Sequence, residues 1–297
     1  MANDKISLNA LIEEAEAAKL SLNAYLLPQS AAGLEITEEE LLAKMAQMLK
    51  VMEEAAAYGL TGVRSHSGLT GGSALKLQNA AAQPGFNKLL GALATDAVTY
   101  ALAVSECNAA MGRIVAAPTA GAAGVLPGVL LALKKHCNLT EEQLARALVV
   151  AGQIGLVIAA RASLAGAVGG CQAECGSAAA MAAGAAVDAL GGTPAQAGTA
   201  VSIVFKNMLG LVCDPVAGLV EVPCIKRNGG AAVQALLAAE MALAGIGSFI
   251  PADEAIDAMK WVGDSMPCAL RETAGGGLAQ TPTALAWAKA WFERESR

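Results

Sequence analysis

The chain has 297 residues, enough for one large or two ordinary domains. Apolar residues make up 55%, charged residues 15% and aromatic residues 3%, and the formal net charge is −6. So little surface charge calls for a thick core or a covering partner, and the lack of any Lys/Arg run speaks against nucleic acid as a ligand.

The N-terminal stretch MANDKISLNALIEEAEAAKL is acidic and amphipathic, which is not the pattern of a signal peptide. Residues 1–35 are expected as a peripheral helical arm, and residues 36–297 as one compact helical domain. Thr37–Glu40 fits a capping box, and the apolar pattern after it runs to a stop at Gly59. Thr140–Gln143 opens a second helix in the same way. An Ala-rich run over residues 177–190 ends at Gly191-Gly192, and Thr193-Pro194 and Thr281-Pro282 each place proline at a first helical position. No stretch alternates like a strand and no hairpin signal occurs, so the fold class is all-α, without repeat or linker.

The mean hydropathy of +0.48 raises a membrane span as an alternative. The longest charge-free stretches, residues 114–133 and 144–160, are built largely of Ala and Gly and lack a Trp or Tyr belt. Buried helices are the expectation for both.

Seven cysteines occur: Cys107, Cys137, Cys171, Cys175, Cys213, Cys224 and Cys268. An odd number without a secretory signal points to free thiols in a reducing, cytoplasmic compartment rather than to a disulfide framework. Cys107, Cys137 and Cys268 have no companion motif and are expected as small core residues. Four Gly- and Pro-rich islands interrupt the helices, at residues 63–72, 117–124, 169–175 and 213–224. Glycines there free backbone N–H groups to approach a ligand, and two of the islands carry cysteines. No close pair of the zinc-binding type is present, and Cys171/Cys175 alone is a weak signal. Iron–sulfur clusters accept widely spaced thiolates, so these cysteines suit either a cluster or core packing.

The segments Gly170-Cys-Gln-Ala-Glu174, Leu211-Val-Cys-Asp-Pro-Val-Ala-Gly218 and Glu221-Val-Pro-Cys-Ile-Lys-Arg-Asn228 resemble the signatures of the iron–sulfur-dependent L-serine dehydratases. Ala116–Gly124 and Glu272-Thr-Ala-Gly-Gly-Gly-Leu-Ala279 are similar to two more, and the matches run in family order from about residue 60 to residue 280. Length and content resemble the α subunit of the two-subunit form. The resemblance implies a helical catalytic domain holding a [4Fe-4S] cluster on Cys171, Cys213 and Cys224, with Cys175 left to packing. It further implies conversion of L-serine to pyruvate and ammonia, an open iron acting as Lewis acid on the substrate hydroxyl.

The family's Ser-Ser-Ser-His-Thr motif has no match here; Ser65-His66-Ser67 is too short and in another context. A separate β subunit is therefore expected as partner. The chain also ends Phe-Glu-Arg-Glu-Ser-Arg297, without the terminal cysteine of single-chain members, so a small ligand such as water is expected on the fourth iron. Ser65, Ser67, Thr119 and Gly121 are candidates for holding substrate. His66 is a candidate base, with binding to loop backbone as the alternative. His136 is expected to cap a helix end. Asp214 and Glu221 are expected to orient the 213–224 loop. Two rival functions are a cluster lyase acting on L-cysteine or another β-substituted amino acid, and a non-catalytic helical subunit. A pyridoxal phosphate enzyme fits poorly, because Lys134, Lys135 and Lys206 lack a phosphate cradle.

Overall fold

The computed structural model describes residues 6–296. In chain order the helices are α1 (Leu8–Ala17), α2 (Leu22–Gly33), α3 (Glu38–Gly59), α4 (Ser73–Ala82), α5 (Gly91–Ala109), α6 (Val125–Cys137), α7 (Glu141–Arg161), α8 (Gly166–Gly169), α9 (Ser177–Ala189), α10 (Pro194–Met208), α11 (Cys224–Leu243), α12 (Ala252–Ser265) and α13 (Pro282–Glu295). Among the described residues there is no strand, only two isolated bridges, and the all-α class holds.

The helix starts follow local chemistry. Thr37 and Glu40 close a capping box at α3, Thr140 and Gln143 at α7, and Thr193 and Gln196 at α10, so two otherwise unpaired backbone N–H groups are satisfied at each start. Pro194 and Pro282 occupy the first turns of α10 and α13 as expected.

Two helices organise the packing. α9 is buried from Ser177 to Asp188 and is surrounded by α6, α7, α10 and α11. α5 packs against α3, α4, α6 and α11. Small residues let these helices approach closely. On α3, a Cβ at Gly59 would stand 1.9 Å from the backbone oxygen of Ala103 on α5. Deep apolar side chains such as Leu126, Leu130, Ile154, Ile158 and Phe205 fill the remaining space. α7 is the one described helix long and apolar enough to cross a bilayer. Its Leu144, Leu148, Ile154 and Ile158 are buried in the common core, as the sequence led one to expect.

The segment expected as a peripheral arm carries α1 and α2. Leu8, Leu22, Leu26 and Leu27 lie in the same buried cluster as α7 and α9. Asp253 accepts hydrogen bonds from Ser7 Oγ and Leu8 N, and Asp188 accepts two from Asn23. Residues 1–5 of that segment, and Arg297, lie outside the described residues.

Three expectations need correction. The island at 169–175 is helical: Gln172–Gly176 form a π-helical turn that runs straight into α9. Glycines at 169, 170 and 176 had masked it. Cys137 and Cys268 are exposed, not core. Cys137 sits in the last turn of α6 before Asn138 turns left-handed, and Cys268 opens a short 3-10 turn after Pro267. His136 does not cap α6; its Nε2 lies 2.6 Å from Asp96 Oδ2.

Candidate active site at the start of helix α9

Three elements bring the cysteines together. Cys171 begins the π turn below α9, Cys213 sits in the segment after α10, and Cys224 is the first residue of α11. Cys171 and Cys213 are buried and Cys224 is half-buried. Cys213 lies within electrostatic reach of both other thiols, and Cys224 within reach of Cys171.

The loop between Cys213 and Cys224 is held at several points. Backbone bonds join Cys213 N to Leu270 O and Glu272 N to Cys213 O, so the 268–277 segment is bound alongside. Asp214, 2% exposed, accepts from Leu278 N at 2.7 Å and pairs with Arg227 Nη1 at 2.9 Å. Arg227 also donates to Val212 O. Ala217 takes a left-handed φ of +54° inside the loop. Glu221, buried, accepts from Ser67 Oγ and from Thr70 Oγ1, both at 2.8 Å. Asp214 and Glu221 therefore orient this loop, as expected from the sequence.

Two buried amides complete the frame. Gln172 accepts from Gly210 N and donates to Met259 O, tying the π turn to α10 and α12. Asn228, fully buried, donates to Gly121 O and Cys224 O and accepts from Gly124 N. It locks the start of α11 to the 117–124 loop. Both residues stood inside the quoted motifs without an assigned role. Apart from the bond from Asn228 to Cys224 O, their amides pair across segments 38 to 107 residues apart, so no local pattern announces them.

The protonation states differ among the thiols. A hydrogen bond from Cys175 pulls Cys171 below the ordinary thiol value despite its burial, and the Arg227 guanidinium helps. The same hydrogen bond, with complete burial, pushes Cys175 well up. Burial raises Cys213, with the Glu174 charge adding to it, and pushes Cys224 up to about 12. Cys171 is thus the readiest of the three to lose its proton, while burial favours the neutral thiol at Cys213 and Cys224.

Glu174, three residues after Cys171, was not singled out from the sequence. Its Oε1 accepts from Thr119 Oγ1 at 3.0 Å, and its Oε2 lies 3.9 Å from Cys213 Sγ. Burial pushes its carboxyl above the usual carboxylate range, against the Thr119 hydrogen bond. A Cβ on Gly166 would stand 2.7 Å from Glu174 Oε2 and 3.0 Å from Cys213 Sγ, so the wall here is bare backbone. Gly121 faces Glu174 from the other side.

Of the residues named from the sequence, the structure gathers Cys171, Cys213, Cys224, Thr119 and Gly121 around Glu174. Ser65 and Ser67 are buried, 3.2 Å apart through their hydroxyls, with Ser67 bound to Glu221. His66 is 80% exposed, edge-on to Trp291 of α13 and 3.8 Å from Glu295. Its neighbours are α13 residues rather than the cysteines.

The donor set suits a multi-iron cluster. Among the described residues no three His, Cys, Asp or Glu side chains converge tightly enough for a single metal ion. Three thiols on separate elements, with a cation beside two of them and a glycine wall against the third, match the separate anchoring points of a larger group.

Residues 4–279 match the model of the family described as "Serine dehydratase alpha chain". The chain belongs to this family. It is 54% identical to the "Probable L-serine dehydratase, alpha chain" of Bacillus subtilis over 93% of this chain and 92% of that one. With the "L-serine dehydratase, alpha chain" of Peptoniphilus asaccharolyticus it shares 44% identity over 83% of this chain and 84% of that one. The "L-serine dehydratase" of Streptomyces coelicolor is 42% identical over 91% of this chain, but only 59% of that longer protein is covered. The family match takes in all three cysteines and ends before α13.

Proposed function

We propose that this chain is the catalytic α subunit of an iron–sulfur-dependent L-serine ammonia-lyase, converting L-serine to pyruvate and ammonia. The observation that carries it is the meeting of Cys171, Cys213 and Cys224, from three elements, beside the Glu174–Thr119 pair. The relatives' names supply the substrate.

Two difficulties define the reaction: hydroxide leaves poorly, and the α-proton of an amino acid is weakly acidic. A [4Fe-4S] cluster held by the three cysteines would supply an iron without a thiolate, a Lewis acid for the serine hydroxyl. The protein's part is to present and shield. The 117–124 loop, pinned by Asn228, offers the Gly121 backbone N–H to substrate, while the Thr119 hydroxyl holds Glu174 beside it. Burial around Cys171 and Cys213 keeps bulk water from the reacting carbon. Loss of water leaves aminoacrylate, which a further water converts to pyruvate and ammonia.

The base stands apart from these contacts. Of the chain's two histidines, His136 is paired with Asp96, and His66 stands exposed beside Trp291. We place the remainder of the pocket on a β subunit that covers the Ser65–Gly72 loop. Replacing His66 by Ala in the two-subunit enzyme decides the matter: a collapse of kcat assigns the base to His66, and an unchanged kcat assigns it to the partner.

The test of the whole proposal is anaerobic purification with the β subunit, followed by iron and sulfide analysis and a pyruvate assay. A brown protein that turns over L-serine, decays in air and recovers with ferrous iron and a thiol supports it. A colourless protein, or one indifferent to air and chelator, refutes it. An amino-acid panel that includes L-cysteine defines the substrate.

A further inference from the structure

Any enzyme acting on an α-amino acid must hold three groups: the carboxylate, the side chain and the ammonium. The first two are anions or neutral donors and acceptors. The ammonium needs hydrogen-bond acceptors, and a carboxylate serves best. Four carboxylates lie around the three cysteines, and the structure separates them by what they already do.

Asp214 is occupied: Oδ1 lies in an ion pair with Arg227 and Oδ2 takes Leu278 N. Glu221 is used up as well, by the hydroxyls of Ser67 and Thr70. Glu272 follows the Cys213 bridge with a left-handed φ of +62° and is half-buried at the rim, close enough for its charge to act on Glu174 and Cys213. Glu174 differs from all three. It is half-buried like Glu272, but one hydroxyl donates to Oε1, and Oε2 meets only the Cys213 thiol at long range. Among the described residues no lysine, arginine or histidine forms an ion pair with it, although Arg227 stands at the same site and is turned to Asp214. Two glycines, Gly166 and Gly121, flank its oxygens where any side chain would intrude.

We propose that Glu174 is the specificity-determining residue that receives the α-ammonium of the substrate, with Thr119 holding its carboxyl in place. The assignment rests on the proposed serine lyase activity and adds to it the group that separates amino acids from plain hydroxy acids. Oε2 accepts from the ammonium. Thr119 fixes Oε1 and with it the direction of Oε2. The half-buried Glu272, within electrostatic reach of Glu174, adds negative charge that favours a cationic group.

The test uses the anaerobically prepared two-subunit enzyme and the variant Glu174→Gln, which keeps size and the Thr119 partner. Two ligands are compared: L-serine as substrate, and 3-hydroxypropionate, which has the carboxylate and β-hydroxyl but no amine, as competitive inhibitor. The KM for L-serine should rise by about ten- to a hundredfold, while the inhibition constant of 3-hydroxypropionate changes by less than about twofold and iron content stays at the wild-type level. An unshifted KM overturns the assignment, and so does an equal shift in both ligands, which would mark a general disturbance. Loss of iron in the variant overturns it too, because Glu174 would then serve the cluster rather than the substrate. A wild type with cluster and turnover keeps the proposed activity intact in each of these cases; a wild type that fails to turn over L-serine overturns that activity and this assignment together.

Discussion

Helix α9 joins two regions of opposite character. Its body, Ser177 to Asp188, is buried among close-packed neighbours and is more than half alanine. The turn just before it holds Cys171, Gln172, Glu174 and Cys175. In the body, stability depends on side chains that are missing, since Gly184 and the alanines let α7 and α10 approach. At the turn and the segments against it, order depends on buried side chains that bond distant backbone groups, as Gln172 and Asn228 do. Overpacking should therefore damage one region, and loss of a single partner the other.

The sharpest separation comes from the thiols. Changing Cys171, Cys213 or Cys224 to Ser should abolish both bound iron and serine turnover while the helical circular dichroism persists; Cys268→Ser, on the exposed 3-10 turn, should change neither. Near wild-type iron in Cys213→Ser would remove it from the ligand set.

The packed region is broken by Gly59→Ala. Its Cβ would stand 1.9 Å from Ala103 O, so α3 and α5 must part, at about 3 kcal/mol. Thermal melting should fall by roughly 6–12 °C, with iron per folded chain unchanged. A melt within error of wild type would show that the α3–α5 crossing yields easily.

Asn228→Ala acts between the two regions. It strands Gly121 O, Cys224 O and Gly124 N, at about 2 kcal/mol, and should speed iron release to a chelator. Release at the wild-type rate would mean that the 117–124 loop is held by other contacts.

The smallest effect lies far from the site. Partial burial disfavours the Asp96 carboxylate, but hydrogen bonds from Lys135 and His136 outweigh it and set the folded-state value below the ordinary one. Its contribution is then complete above about pH 4 and disappears as the pH falls through the depressed value. Asp96→Asn should cost about 0.5 kcal/mol at neutral pH and nothing in strong acid, measured by denaturant unfolding at several pH values.

Helix ends were legible in the sequence because Thr, Glu, Gln and Pro act on neighbours within one turn. The three cysteines were legible through their motifs. Glu174 was not, because its partners are Thr119, Gly166 and Cys213, on three other segments. The π turn was hidden by flanking glycines, and the exposure of Cys137 follows from its place in the last turn of α6. The seating of one face of α1 and α2 in the core was not legible either, since their polar partners, Asp188 and Asp253, lie far along the chain.

The turn at Gln172–Gly176 closes five residues where an ordinary helix closes four. One codon added to a regular helix is enough to produce such a turn. Everything before the addition then rotates by about 100° relative to everything after it, while the helix beyond keeps its register against its neighbours. A core can thus remain untouched while the residue just upstream is re-aimed, here Cys171. For the designer who wants a ligand at the end of an existing helix, the lesson is to insert rather than to substitute.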